Sequence, residues 1–357
     1  MIGDFTALSA GAPAGFARRL LDAGMDIEKA FRAHSPLSTD ATKLIDTTVV
    51  HEFQNRLMVT RRLLENGQVM RLPNPFAWSN ISHHTEDDDS GAVVDRNPLA
   101  KGENTLPDRA EVLTPVYYTF DTFQLTLPEL LASRNPRQDV PLDVNLIRKK
   151  ARNVAESIEE CVVKGTFGGA ALPKIGTASA KGLCNAPNLQ TVSLSSSQAW
   201  NHASKTIAGI LTDIKAIIVK FDNIKAWGPI DLFIPTSWMT ALRFLTNTST
   251  DRTAIEIIRN SLSGGSRDVY ISDADTLPTD TAVAYLRDAM AVDVILGDFG
   301  GMGAAEDPHA PDSNPVPITV IPWEERGGLL LNWLIIACVI PRPKNTFSSN
   351  CAIVKLS

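Results

Sequence analysis

The sequence predicts an α+β fold that begins with an arm and continues through a long projecting hairpin, a long isolated helix and a separate α/β region. Three patterns carry this prediction. Val144, Ile147, Ala151, Val154, Ile158 and Cys161 recur at steps of three or four and Gly165 supplies a stop, so 143–164 reads as one helix of ~20 residues and about 30 Å. Val116 to Leu127 alternates aromatic or aliphatic with polar residues, which is the period of a half-buried strand. Beyond Ser197, helical segments alternate with short apolar runs rich in β-branched residues, the pattern of a mixed α/β region.

The individual elements follow in order. Residues 1–36 open on small residues and carry a helical pattern at Phe16, Leu20 and Leu21 that breaks at Gly24 and resumes from Asp26 to Ala33, which makes an arm with modest helices. Ser38 or Thr39 can cap a helix through Leu44, Ile45, Val49, Val50, Phe53 and Leu57 that ends near Gly67. From Leu72 to Pro115 the chain turns polar, with Pro73, Pro75, Gly91, Pro98, Gly102 and Pro107 and the acidic run Glu86, Asp87, Asp88 and Asp89. Connections beyond about 15 residues without structure are uncommon in a compact domain, so this stretch reads as a hairpin projecting from the body.

The 143–164 helix carries charges that run against its own dipole. Arg148, Lys149, Lys150 and Arg152 crowd the N-terminal half, and Glu156, Glu159 and Glu160 the C-terminal half. Partners outside the helix are therefore expected. A Gly-, Ser- and Ala-rich passage from Gly165 to Ser197 marks a boundary. Beyond it come helices at 199–221, 237–244 and 254–262 and strands at 231–234, 268–271, 282–286 and 292–296. A Pro-rich loop, Glu306 to Pro317, precedes strands at 318–322, 329–340 and 352–356.

Composition narrows the function classes. The chain has 357 residues, with 34 Lys and Arg against 40 Asp and Glu, for a formal net charge of -6. A protein whose main task is to grip nucleic acid carries a basic surplus instead. At 44% hydrophobic and 21% charged, the composition is that of a globular protein with a sizeable core. Cys161, Cys184, Cys338 and Cys351 form no CxxC pair, so no zinc site or redox dithiol is indicated and a reducing compartment is expected. The N-terminal residues lack the basic start and apolar stretch of an export signal. The apolar run Leu329 to Ile340 is interrupted by Asn332 and falls short of the ~20 residues that cross a bilayer, so it reads as a buried strand.

Motifs that would signal an enzyme fail on inspection. Gly300, Gly301, Met302 and Gly303 follow a strand, but Glu306 stands where the third glycine belongs and Asp307 to Pro311 cannot open a helix to hold a pyrophosphate. No phosphate loop is present, and Gly264-Gly265-Ser266-Arg267 lacks the nucleophile-elbow pattern. His83, His84 and the acidic run could supply metal ligands, yet neighbours on one loop rarely converge without a ligand from a rigid element. His34, His51, His202 and His309 show no catalytic spacing. No catalytic residue, cofactor or metal is therefore expected, and the chain reads as a non-enzyme.

The order of segments is the informative feature. Pro36-Leu37-Ser38-Thr39 leads to Leu44-Ile45-Asp46 before the hairpin, Phe123 to Leu131 runs into the helix ending at Gly165, and Trp227-Gly228-Pro229-Ile230-Asp231-Leu232-Phe233-Ile234-Pro235 precedes another helix. Ala289 to Gly297 and Leu329 to Pro341 complete the series. In this order the chain resembles the major capsid proteins of tailed bacteriophages, the Hong Kong 97 fold, which the shells of encapsulin nanocompartments share.

The resemblance implies a fold in five parts: an N-terminal arm at 1–36, a peripheral domain at 37–71 and 116–196 with its spine helix at 143–165, and an extension loop at 72–115. An axial domain at 197–322 and closing strands at 323–357 complete it. It implies a structural protein that self-assembles, through pentamers and hexamers, into an icosahedral shell around viral double-stranded DNA held without sequence-specific contacts. Scaffolding, portal and decoration proteins are the further partners it implies, and the virion, assembled in the host cytoplasm, the location; no membrane partner is implied. The alternative is an encapsulin-like shell around a cargo enzyme. The lengths of the hairpin and of the Glu306 to Pro317 loop favour the phage reading. On either reading, Glu86, Asp87, Asp88 and Asp89 of one subunit are expected to meet Arg148, Lys149 or Arg152 of the next. A Lys-to-Asn cross-link, as some phages of this fold make, is not expected: Lys101 lies in the loop and Asn345 and Asn350 near the end, but no Glu follows them.

Overall fold

The structure, a computed structural model, describes residues 56–87, 108–126, 142–172, 174, 179–195, 198–247, 252–262, 267–298, 318–326, 330–344 and 351–357. The arm, the capped start of the first expected helix, the hairpin tip, Gly300 to Gly303, the Glu306 to Pro317 loop, Lys101, Asn345 and Asn350 lie outside the described residues.

Helix α1, Val59–Glu65, is the described end of the first expected helix. It stops where expected, with Gly67 at φ +71°, a backbone that glycine adopts without steric cost. Its start differs from the expectation of one continuous helix through Leu57. The pattern is interrupted at Leu57 and Met58, and the new helix starts where the Glu159 carboxylate accepts from Val59 N at 2.6 Å and Thr60 N at 3.2 Å. Strand β1, Val69–Pro73, has no counterpart in the sequence reading. Strands β2, Asn80–Asp87, and β3, Asp108–Pro115, pair antiparallel from Asn80 opposite Pro115 to Asp87 opposite Asp108, which is the expected hairpin. Strand β4, Thr119–Thr126, follows.

Helix α2 spans Leu142–Lys164, as its periodicity predicts, and Gly165 at φ +66° ends it. The small-residue passage then forms a ribbon, β5 at Thr166–Phe167 and β6 at Ala170–Ala171, and strand β7 at Gln190–Val192. Helix α3 covers Ile207–Asn223 rather than beginning at Ala199, because Thr206 caps it by accepting from Gly209 N. Next come β8 at Ile230–Pro235, α4 at Thr236–Phe244, β9 at Thr246–Asn247, β10 at Arg252–Thr253 and α5 at Ala254–Leu262. Strands β11, Val269–Ala274, β12, Ala282–Leu286, and β13, Val292–Asp298, follow. The remaining strands are β14 at Ile318–Arg326, β15 at Leu330–Ala337, β16 at Val339–Pro343 and β17 at Ile353–Leu356. The single strand expected at 329–340 is thus two strands that part at Cys338.

The chain divides into two compact units, one of Met1–Arg56, Thr119–Ala155 and Phe299–Ala337, the other of Leu57–Tyr118, Glu156–Asp298 and Cys338–Ser357. In the first, β15 lies between β14 and β4 in an antiparallel sheet, and Lys150 Nζ of α2 reaches Asp121 Oδ1 of β4 at 2.9 Å. In the second, a mixed sheet runs in the order β11-β8-β12-β17-β7, with β8 parallel to β11 and antiparallel to β12. All residues of β8 and β12 are buried, as central strands covered on both faces must be. Ile210, Ile214, Ile217 and Phe221 of α3, Trp238 and Leu242 of α4 and Ile258 of α5 form one core with Ile230, Leu232 and Ile234 of β8. A second sheet of this unit places β13 between β1 and β16. Gly297 fits there because a β-carbon would collide with Pro75 and with Cys338 Cβ.

Candidate assembly surface

The sequence-predicted contact residues fall on two elements. Glu86 and Asp87 are the last described residues of β2, with Glu86 opposite Arg109 and Asp87 opposite Asp108 in register, and Asp88 and Asp89 lie outside the described residues. On α2, Arg148, Lys149 and Arg152 are exposed. Positions 148 and 152 are one turn apart and therefore share a face. The hairpin belongs to one compact unit and residues 148–152 to the other.

Lys150, Glu159 and Glu160 of α2 have partners outside the helix, as the unfavourable placement of charge along its dipole leads one to expect. Lys150 binds Asp121, and Glu160 accepts from Thr166 Oγ1, Gly168 N and Gly169 N at 3.1–3.3 Å. Glu159 is fully buried and receives Thr60 Oγ1 at 2.7 Å besides the two amides of α1. Burial raises its carboxyl above the usual carboxylate range, and the three donors offset part of that rise.

Buried ionic clusters hold the second unit in shape. Asp231 of β8, without exposed surface, accepts from Arg287 Nη2 and Nε at 2.7 and 3.1 Å, from Asn66 Nδ2 at 2.7 Å and from Arg62 Nε at 3.2 Å. The cluster joins the end of α1 to the sheet. In another cluster, Asp213 of α3 accepts from Ser195 N and Trp200 Nε1 and pairs with Lys205 Nζ at 2.8 Å, which also reaches Ser195 O and Ser195 Oγ. Arg342 and Lys344 likewise both pair with the buried Asp293. Among the described residues there is no group of three His, Cys, Asp or Glu placed to hold a metal ion, and no helix is long and apolar enough to cross a membrane.

The sequence reading passed over the exposed aromatic residues. At the hairpin root Phe76 and Trp78 are each about half exposed, and Phe76 stacks on Tyr118 at 5.1 Å between ring centroids. Trp227, 68% exposed, lies beneath the Arg267 guanidinium, and Phe244 at the end of α4 is 81% exposed. Large aromatics with arginine are what interface cores enrich. Only their neighbourhood in the fold separates them from core aromatics, so no spacing rule finds them.

No family model matches this sequence, and no curated protein does. Solved structures do. The virus-like particle from Pyrococcus furiosus superposes with a TM-score of 0.56 at 14% identity, over 88% of this chain and 98% of that chain. The capsid of the myovirus phage XM1 gives 0.52 at 13%, over 82% and 90%. A chain of Mycobacterium phage Ogopogo gives 0.50 at 15%, over 84% and 92%. The chain carries the Hong Kong 97 shell fold. The sequence resemblance implied this fold from segment order, and the structure shows it as a mixed α/β architecture.

Proposed function

We propose that this chain is a structural shell subunit that self-assembles, through pentamers and hexamers, into an icosahedral capsid enclosing viral double-stranded DNA. The observation that supports this most is the superposition over more than four fifths of the chain on the XM1 capsid and the Pyrococcus particle. In this reading 72–115 is the extension loop, α2 the spine helix of the peripheral domain and 197–322 the axial domain. An isolated two-stranded hairpin is marginally stable alone, so β2–β3 suits a segment that a neighbouring subunit supports. The acidic run at 86–89 meets Arg148, Lys149 or Arg152 of that neighbour, and Phe76 and Trp78 at the hairpin root supply the apolar part of the contact. Many symmetric contacts of modest size, strengthened by interlocking, give such a shell its stability. The net charge of -6 limits attraction between the wall and its DNA.

An encapsulin-like shell around a cargo enzyme is the second reading, and the 98% coverage of the Pyrococcus particle chain favours it. One experiment tests both. Negative-stain electron microscopy and light scattering of the purified chain are expected to show closed shells or capsomer rings, and a species that stays monomeric or dimeric even with crowding overturns the shell reading. Nuclease-protected DNA in particles from infected cells supports the capsid; a co-purifying enzyme without DNA supports the nanocompartment.

A further inference from the structure

The sequence contains a single Asn-Gly pair, Asn66-Gly67. In an open chain this is the asparagine context most prone to deamidation, because glycine has no side chain to shield its amide nitrogen. That nitrogen loses its proton and attacks Asn66 Cγ, the new N–Cγ bond replaces the bond to the side-chain nitrogen, and ammonia leaves. Water then opens the succinimide at either carbonyl to give aspartate or isoaspartate. The balance is one water consumed and one ammonia released, with no oxidant or cofactor.

The fold opposes each stage of that attack. Asn66 ends α1 with φ -77° and ψ -2°, which turns the Gly67 nitrogen toward the Asn66 backbone nitrogen and away from its Cβ and Cγ. The Gly67 N–H is engaged with Leu64 O at 3.0 Å. The departing amide is held as well, with Nδ2 donating to Asp231 Oδ2 at 2.7 Å. Asp231 is itself fixed by Arg62 and Arg287, so Asn66 is tied to a rigid anchor. Asn66 is only partly buried, and hydrolytic water has access once the ring forms.

We propose that Asn66 is a modification site that the Asp231 cluster keeps closed, and that its conversion to aspartate or isoaspartate accumulates with the time α1 spends open from the sheet. The change is one-way in its consequence. A carboxylate at residue 66 faces the Asp231 carboxylate where an amide donated before, so a hydrogen bond is replaced by repulsion between like charges. Isoaspartate also lengthens the backbone at the turn that Gly67 N and Gln68 N close onto Leu64 O and Leu63 O. The re-docked helix end is thereby disfavoured. This inference is independent of the shell reading.

The test is mass spectrometry of the tryptic peptide Leu63 to Arg71 after incubation of the full chain at pH 8 and 37 °C, native and in urea. Deamidation is expected to run at least tenfold slower in the native chain, and urea below the global transition is expected to release part of the protection. Equal native and unfolded rates overturn the proposal. In a second arm, Asn66→Asp is expected to melt at lower temperature than the parent and to be cut faster by trypsin after Arg61 or Arg62. A variant with parental melting and parental cleavage overturns the proposed barrier to re-docking.

Discussion

Asp231 shows how much a single side chain can hold. Its carboxylate has no exposed surface and is shared by Arg62, Asn66 and Arg287. Removing one partner of a buried ionic cluster leaves the others uncompensated and costs about 3–5 kcal/mol. Asp231→Ala is therefore expected to lower the unfolding free energy by that amount in urea titration, with α1 the first element to lose amide-exchange protection. The cysteines offer a second residue-scale expectation. Burial pushes the thiols of Cys161, Cys338 and Cys351 up to about 12, and that of Cys184 to about 11. The thiolate is the reactive form, so at pH 8 the native chain should resist alkylation, with the half-buried Cys184 reacting first, and all four should label in urea. Rapid native labelling of Cys161 would contradict the buried placement.

At the scale of elements, Glu159 couples α2 to the start of α1. Its carboxyl is raised by burial, so the native state holds this proton to higher pH than the unfolded chain does. The contribution to stability is therefore present below the ordinary carboxylate range and is lost as pH rises through the raised value. Glu159→Gln removes this dependence, and the variant is expected to gain stability relative to the parent in urea melts as pH rises above the ordinary carboxylate range. A difference that stays constant as pH rises contradicts it. Elements also divide cleanly into those legible in the sequence and those that are not. Helix α2 was legible because its burial pattern at Ile147, Ala151, Val154, Ile158 and Cys161 repeats the apolar period. The interruption before α1 was not, because the carboxylate that caps Val59 lies a hundred positions away. The run at 329–340 hides two strands because β15 pairs with β14 and β4 whereas β16 pairs with β13. A continuous apolar stretch carries no mark where its partners change. Strand β1 was passed over because its partner, β13, is likewise far along the chain.

For the whole molecule, segment order made the fold legible where local motifs did not, since the relatives by shape share only 13–15% identity. The expected contact residues were legible as charges, whereas the pairing proposed for them lies between subunits and not within one chain. Charge reversal of Glu86, Asp87, Asp88 and Asp89 together is expected to weaken assembly most at low ionic strength, with parent and variant converging at high salt as the pairs are screened. Light scattering across a salt series checks this. Assembly of the variant at parental level under all salt conditions removes the proposed pairing and leaves the aromatic residues at the hairpin root as the contact.

The position of β17 sets a timetable for synthesis. Residues 353–356 lie between β12 and the edge strand β7 in the five-stranded sheet, and Leu194 N and Ser357 N close onto Ser357 O and Val192 O. Until β17 has been made, β7 has no neighbour in this sheet and β12 has one open side. The sheet therefore cannot close between β12 and β7 until these residues have left the exit tunnel.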